Sequence, residues 1–168
     1  MGISKNLSYA IRGFNPEKYF LYRKKFYATK SKFRRMYYKF KVMKMEKNTA
    51  YIGLFPNEEN HDIFKNPPKL LHGISGIFIT AKARIGENVT IMQGVTIGKS
   101  NDKAPIIGDN VFIGANACIL GGIKVGNNVR IGAGAVVVKD VPDNTTVVPQ
   151  PCRYINKQQD YKYSVDGE

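Results

Sequence analysis

The sequence has no tryptophan, two histidines, two cysteines and half as many acidic residues (13) as basic ones (26). Cys118 and Cys152 form no CxxC pair, and His61 and His72 alone cannot complete an ordinary zinc set, so no metal is expected. The two thiols read as free cysteines of a reducing compartment. No apolar run approaches the roughly 18 residues of a membrane span, and the opening residues lack the apolar middle of a secretory signal. Together these absences point to a cytoplasmic protein. At 168 residues there is room for one domain, or one domain with an appended arm.

What the chain has in excess is positive charge, +13 overall, and it is unevenly placed. Between Glu17 and Asn48 twelve Lys or Arg face only Glu17 and Glu46, a local +10. Residues 17–45 predict one helix, because Tyr22, Phe26, Thr29, Phe33, Met36, Phe40 and Met43 follow alternating spacings of four and three. Cations cover its other faces. The division expected is a basic helical arm over 1–47, an irregular Pro-containing connection over 48–71, a repeat domain over 72–155 and a polar tail over 156–168.

The repeat is the dominant signal. Ile79, Ile85, Ile91 and Ile97 are six apart; after a jump of ten the beat resumes at Ile107, Ile113, Ile119, Val125, Ile131 and Val137. Four residues after nearly every marker stands a second aliphatic or alanine, from Ala83 and Val89 to Ala135 and Val141; only Asn101 breaks this register. Glycine follows the marker in six of ten steps. A helix wants a period of 3.6 and a flat strand wants 2. A short strand, a tight corner and another short strand satisfy the period of six, with Gly or Asn accepting the corner's backbone. Three steps close an 18-residue coil, so Ile107 should lie against Val125 and Ile113 against Ile131. The fold class expected is mainly β, a parallel β-helix with a basic helical arm. The surplus four residues, within 100–105, should leave the coil as a loop, read as a lip over a site.

The segment from His72 through Gly98, followed by 106–122 and 131–142, resembles the hexapeptide-repeat acetyltransferases, with serine acetyltransferases and the O-acetyltransferases of surface-polysaccharide pathways as the nearest group. The resemblance covers about residues 67–155. It implies a left-handed β-helix, a homotrimer with active sites between subunits, and acetyl-CoA as co-substrate. It also maps the family's catalytic histidine onto His72, a side chain suited to removing a hydroxyl proton near neutral pH. For the pantetheine arm and phosphates it implies Ala115, Ala133, Val138, Lys139 and Arg153. A backbone N–H near the Gly-rich edge is expected to meet the oxyanion. His61, in a polar stretch, reads as solvated, and Cys118 needs no chemical role.

Two departures from the serine acetyltransferases stand out. Asn57 occupies the place of an acidic partner of the histidine, with Glu58, Glu59 and Asp62 nearby, and Ala104 stands for a second histidine. On these grounds the acceptor expected is a sugar hydroxyl, lipid-linked or small, with serine O-acetylation as the alternative. From another class, the chain would be a catalytically silent trimeric scaffold. A carbonic anhydrase on the same helix would need three histidines at zinc. The arm has three uses in order of preference: packing its stripe on its own trimer, docking on an anionic membrane surface, or binding nucleic acid, for which no recognition motif is present.

Overall fold

The computed structural model describes residues 14–47, 49–53 and 62–151. Its C-terminal part is the β-helix that the beat of six predicts. Each two-residue strand turns one side chain out and the marker in, so the markers from Ile79 to Val137 are all buried, as are the second-register residues from Ala83 to Val141. Stacking these rungs makes three parallel sheets, one per face of a prism. One holds β1 (Tyr51–Ile52), β3 (Phe78–Ile79), β6 (Thr96–Gly98), β9 (Cys118–Leu120) and β12 (Val136–Val137). The second holds β4 (Arg84–Ile85), β7 (Ile106–Ile107) and β10 (Lys124–Val125). The third holds β2 (Lys69–Leu70), β5 (Thr90–Ile91), β8 (Phe112–Ile113), β11 (Arg130–Ile131) and β13 (Thr146–Val147). Ile107 pairs with Val125 and Ile113 with Ile131, as expected.

The ten-residue step leaves the register intact. Ile85 still pairs with Ile107, and the surplus leaves the coil where Ser100 and Lys103 bridge antiparallel. Asp102 at the tip is paired with Lys82 and Lys99.

Asparagine ladders hold the corners. Asn88, Asn110, Asn128 and Asn144 all adopt φ of 52–57°, a region asparagine tolerates better than other side chains. Each amide donates to the next along the stack, at 2.9, 3.1 and 3.0 Å. Another corner uses Gly94 at φ +70°, where a Cβ would run into the Asn116 side chain. Gly94→Ala is therefore expected to destabilise the protein by about 2 kcal/mol, through left-handed strain plus that clash. A thermal melt should show a fall of several degrees; an unchanged midpoint would contradict the corner's geometry.

Within residues 48–71, expected as an irregular connection, the chain already pairs with the prism. β1 pairs with β3, β2 with β5, and Phe64 bridges Ile85. An extra partial coil thus precedes the markers: Ile52, Phe64 and Leu70, which meet Ile79, Ile85 and Ile91, lie twelve and six residues apart, and the nine residues from Leu70 to Ile79 separate them from the continuous beat.

The arm differs from the single helix expected over 17–45. It is two helices, α1 (Pro16–Ala28) and α2 (Lys32–Glu46), broken at Thr29, which is extended, and restarted at Ser31, whose hydroxyl caps the Arg34 N–H. The helices pack on each other through stacked Tyr22 and Tyr38 and through Arg35 over Phe26. The break also divides the expected stripe. Phe26 is buried, whereas Phe33, Met36, Phe40 and Met43 point to solvent.

A buried polar knot pins α1 to the prism. Arg23, fully buried, donates to both Asp62 carboxylate oxygens, to the Ile52 and Gly53 carbonyls and to the Tyr19 hydroxyl, so every guanidinium N–H has an acceptor. Tyr19 in turn donates to Glu46 at 2.8 Å, joining the end of α2 to the knot. Burial pushes the Glu46 carboxyl above its ordinary range, against the opposing pull of Tyr19 and Arg23.

Candidate active site

His72 stands in the turn over 71–76 that leads from β2 to β3, at the edge between two faces of the prism. The turn is anchored on both sides of the imidazole. Ile74 and Ile77 insert into the core, the Ile77 N–H donates to the Ile74 carbonyl, and the Gly76 N–H donates to Thr49 at 2.7 Å. Gly73 and Gly76 take φ of +75° and +70°, which lets the chain fold back sharply enough to leave His72 exposed.

The imidazole borders a cavity of about 510 Å³. Phe14, Pro16, Met45, Leu70 and Ile74 supply apolar wall, and Lys47, Thr49 and Ser75 supply polar groups. The arm therefore supplies four of the ten lining residues: Phe14 and Pro16 come from the start of α1, Met45 and Lys47 from the end of α2. Lys47 sits at φ 45° in the left-handed C-cap of α2 and donates its N–H to the Met43 carbonyl. A larger hollow of about 820 Å³ lies between α1 and residues 62–68, but no histidine or cysteine lines it.

Ala115 and Ala133 lie on the same edge as the His72 turn. Backbone bonds along that edge run from Gly94 N–H to Ser75, from Asn116 N–H to Gln93 and from Gly134 N–H to Ala115, at 3.2, 3.0 and 2.8 Å. The column is thus Ser75, Gln93, Ala115 and Ala133, and among the described residues nothing lies within 4 Å of where a Gly134 Cβ would stand, at the column's far end. Val138 and Lys139 follow β12 and occupy a different edge, the one from which the loop over 100–105 emerges. Within one chain the structure does not bring Lys139, or that loop, to His72. Arg153, Cys152, His61, Asn57, Glu58 and Glu59 lie outside the described residues.

Asp62 is committed to Arg23, so it does not orient the imidazole. Among the described residues no carboxylate lines the His72 cavity, and no group of three or more His, Cys, Asp or Glu is placed to hold a metal ion. Two residues escaped the sequence reading. Gln93 would have been found by running the register of Ala115 and Ala133 back one coil; its side-chain carbonyl oxygen is buried without a hydrogen-bond partner among the described residues. Lys47 had no such signal, because only folding carries the end of α2 to the turn.

Residues 104–139 match the bacterial transferase hexapeptide family model, six repeats. The serine acetyltransferase of Staphylococcus epidermidis is 39% identical over 130 residues, 68% of this chain and 61% of that protein. That of Mycobacterium tuberculosis is 46% identical over 89 residues, 51% of this chain and 39% of the relative. Among solved structures, a serine acetyltransferase in complex with cysteine aligns over 90% of this chain and 57% of its own, with TM-score 0.57 and 29% identity. The Neisseria gonorrhoeae serine acetyltransferase in complex with serine aligns over 72% of this chain and 48% of its own, with TM-score 0.53 and 37% identity. This chain spans less than two thirds of the length of each of these relatives. The resemblance to hexapeptide-repeat acetyltransferases of the serine acetyltransferase group holds in both sequence and structure.

Proposed function

We propose that the protein is an acetyl-CoA-dependent O-acetyltransferase whose acceptor is L-serine, with His72 as general base. The observation that carries this reading is the exposed imidazole at the mouth of a small cavity that also presents a cation, Lys47. The relatives above support serine over the expected sugar, which none of them suggests. The substituted positions 57 and 104 favoured a sugar only by their difference from a pattern. The cavity offers its own chemistry: an acceptor with a carboxylate can meet Lys47 while its hydroxyl faces the imidazole.

In the reaction, the serine hydroxyl oxygen attacks the thioester carbonyl as His72 takes the hydroxyl proton. The tetrahedral intermediate collapses, the C–S bond breaks, and the CoA thiolate recovers the proton from the imidazolium. No acyl-enzyme is needed. The edge formed by Gln93, Ala115, Ala133 and Gly134, small side chains beyond Gln93, leaves room for a pantetheine arm to approach His72 along the coils. Because Lys139 and the loop over 100–105 stand on another edge, they reach this site from a second copy in a homotrimer with active sites between subunits.

The direct experiment is CoA release, followed with a thiol reagent, in the presence of L-serine or of sugar hydroxyl acceptors. Serine-dependent release supports the reading; release only with sugars overturns its acceptor. Calorimetry showing no binding of acetyl-CoA or CoA would favour the silent scaffold instead. Lys47→Ala is expected to raise the KM for L-serine by about tenfold, the loss of one charge-assisted hydrogen bond, with kcat changed much less. A KM within twofold of the parent would remove Lys47 from acceptor binding.

A further inference from the structure

The helix α2 (Lys32–Glu46) turns its apolar side away from the protein. At about 100° per residue, Val42 and Glu46 lie on the side facing α1 and are buried, while Phe33, Met36, Tyr37, Phe40 and Met43 share an arc of roughly 120° on the opposite side. These five are 88, 70, 53, 61 and 55% exposed. Single exposed apolar residues are ordinary; a contiguous stripe along a whole helix is a contact surface. Cations border it on both sides, Lys32 and Lys39 on one and Arg34 and Lys41 on the other, with Lys44 within it. The only acid of the helix, Glu46, is buried against Tyr19, so the outer surface of α2 is entirely cationic at its rim.

Charge decides what covers this stripe. A second copy meeting the stripe helix to helix would bring an equally cationic surface against the first, and the like charges would oppose the contact; a trimer neighbour meeting it with another face is distinguished by oligomer size in the test below. Nucleic acid satisfies the cations but provides no hydrocarbon for Met36 and Met43. An anionic bilayer meets both demands: the apolar arc enters at headgroup depth and the Lys and Arg rims lie beside lipid phosphates. Among the described residues no helix is long and apolar enough to cross a membrane, so the contact is with the surface. We propose that α2 docks the protein on an anionic lipid bilayer through Phe33, Met36, Tyr37, Phe40 and Met43. The end of α2 also lines the His72 cavity through Met45 and Lys47, so docking holds that cavity beside the membrane. The inference does not depend on the acetyl transfer proposed above.

The test is sedimentation of the full chain with vesicles of phosphatidylcholine alone or with phosphatidylserine added. Partitioning is expected to be at least about tenfold stronger on the anionic vesicles and to weaken in high salt, as screening requires. Phe33→Glu with Phe40→Glu should lower it by about tenfold or more, with thermal midpoint and oligomer size unchanged. Met36→Gln with Met43→Gln should move it in the same direction. Absence of binding, or binding that neither pair of substitutions weakens, overturns the proposal. So does a fall in oligomer size by light scattering in either variant, which would assign the stripe to a second copy. Displacement from the vesicles by an oligonucleotide that the variants still bind equally would overturn it in favour of nucleic acid.

Discussion

Replacing His72 with alanine should lower the rate of acetyl transfer by about 10²–10⁴-fold, the range a positioned general base contributes. The loss should fall on kcat with little change in the KM for acetyl-CoA, because the edge of Ala115 and Ala133, proposed above for the pantetheine arm, does not need the imidazole. It should also leave the fold alone. His72 is exposed, and the turn is held by Ile74, Ile77 and the Gly76 to Thr49 hydrogen bond rather than by the histidine. The measurement is steady-state CoA release paired with a thermal melt. A variant that turns over at the parental rate would sink the mechanism, and one that melts early would show the residue to be structural.

The second large effect is expected at the other end of the arm. Arg23→Ala should destabilise the protein by about 3–5 kcal/mol, the usual consequence of removing one partner of a buried ion pair. The cost arises from what is left behind. Asp62 loses both hydrogen bonds to the guanidinium, the Ile52 and Gly53 carbonyls lose their 2.8 Å donors, and Tyr19 and Glu46 lose the neighbouring positive charge. Against a typical total of about 5–15 kcal/mol this is a large share. Arg23→Lys should recover only part of it, because an ammonium cannot donate in the forked pattern to Asp62 while reaching two carbonyls. Chemical denaturation followed by circular dichroism would check this, with the helical signal of α1 and α2 lost before the β signal. An Arg23→Ala midpoint within a degree or two of the parent would contradict the account.

These two residues show how unevenly the sequence displays its content. Arg23 sits among Lys24, Lys25 and other cations, and read along the chain it is one more member of a solvated basic face. Only its complement of five acceptors, drawn from positions 19, 52, 53 and 62, distinguishes it. Asp62 likewise reads as one of the acidic residues near the place of a histidine's partner, and proves to be the counter-ion of an arm helix. The expected stripe on a single helix failed for a local reason that was legible: Ser31 is a capping residue, three before the N–H it accepts. The alternating spacing of Phe and Met continued across the break and masked it.

The β-helix belongs to the other category. Whether Ile107 meets Val125 depends on the spacing of inward aliphatics and on corner residues that tolerate left-handed backbone, and both are written in consecutive letters. A period of six therefore determined the prism and its register, whereas His72, Ala115 and Ala133 were named through the family resemblance and their common edge came from the structure. What only the tertiary structure decided is which elements meet that edge from outside. The arm doubles back so that Phe14 and Lys47 wall the His72 cavity, and the segments around Tyr51, Phe64 and Leu70 join the stack ahead of the continuous repeat. The physical reason is that a repeat encodes contacts between residues a constant distance apart. The cavity, by contrast, depends on side chains from the ends of two helices meeting a turn, and no spacing in the chain records that meeting.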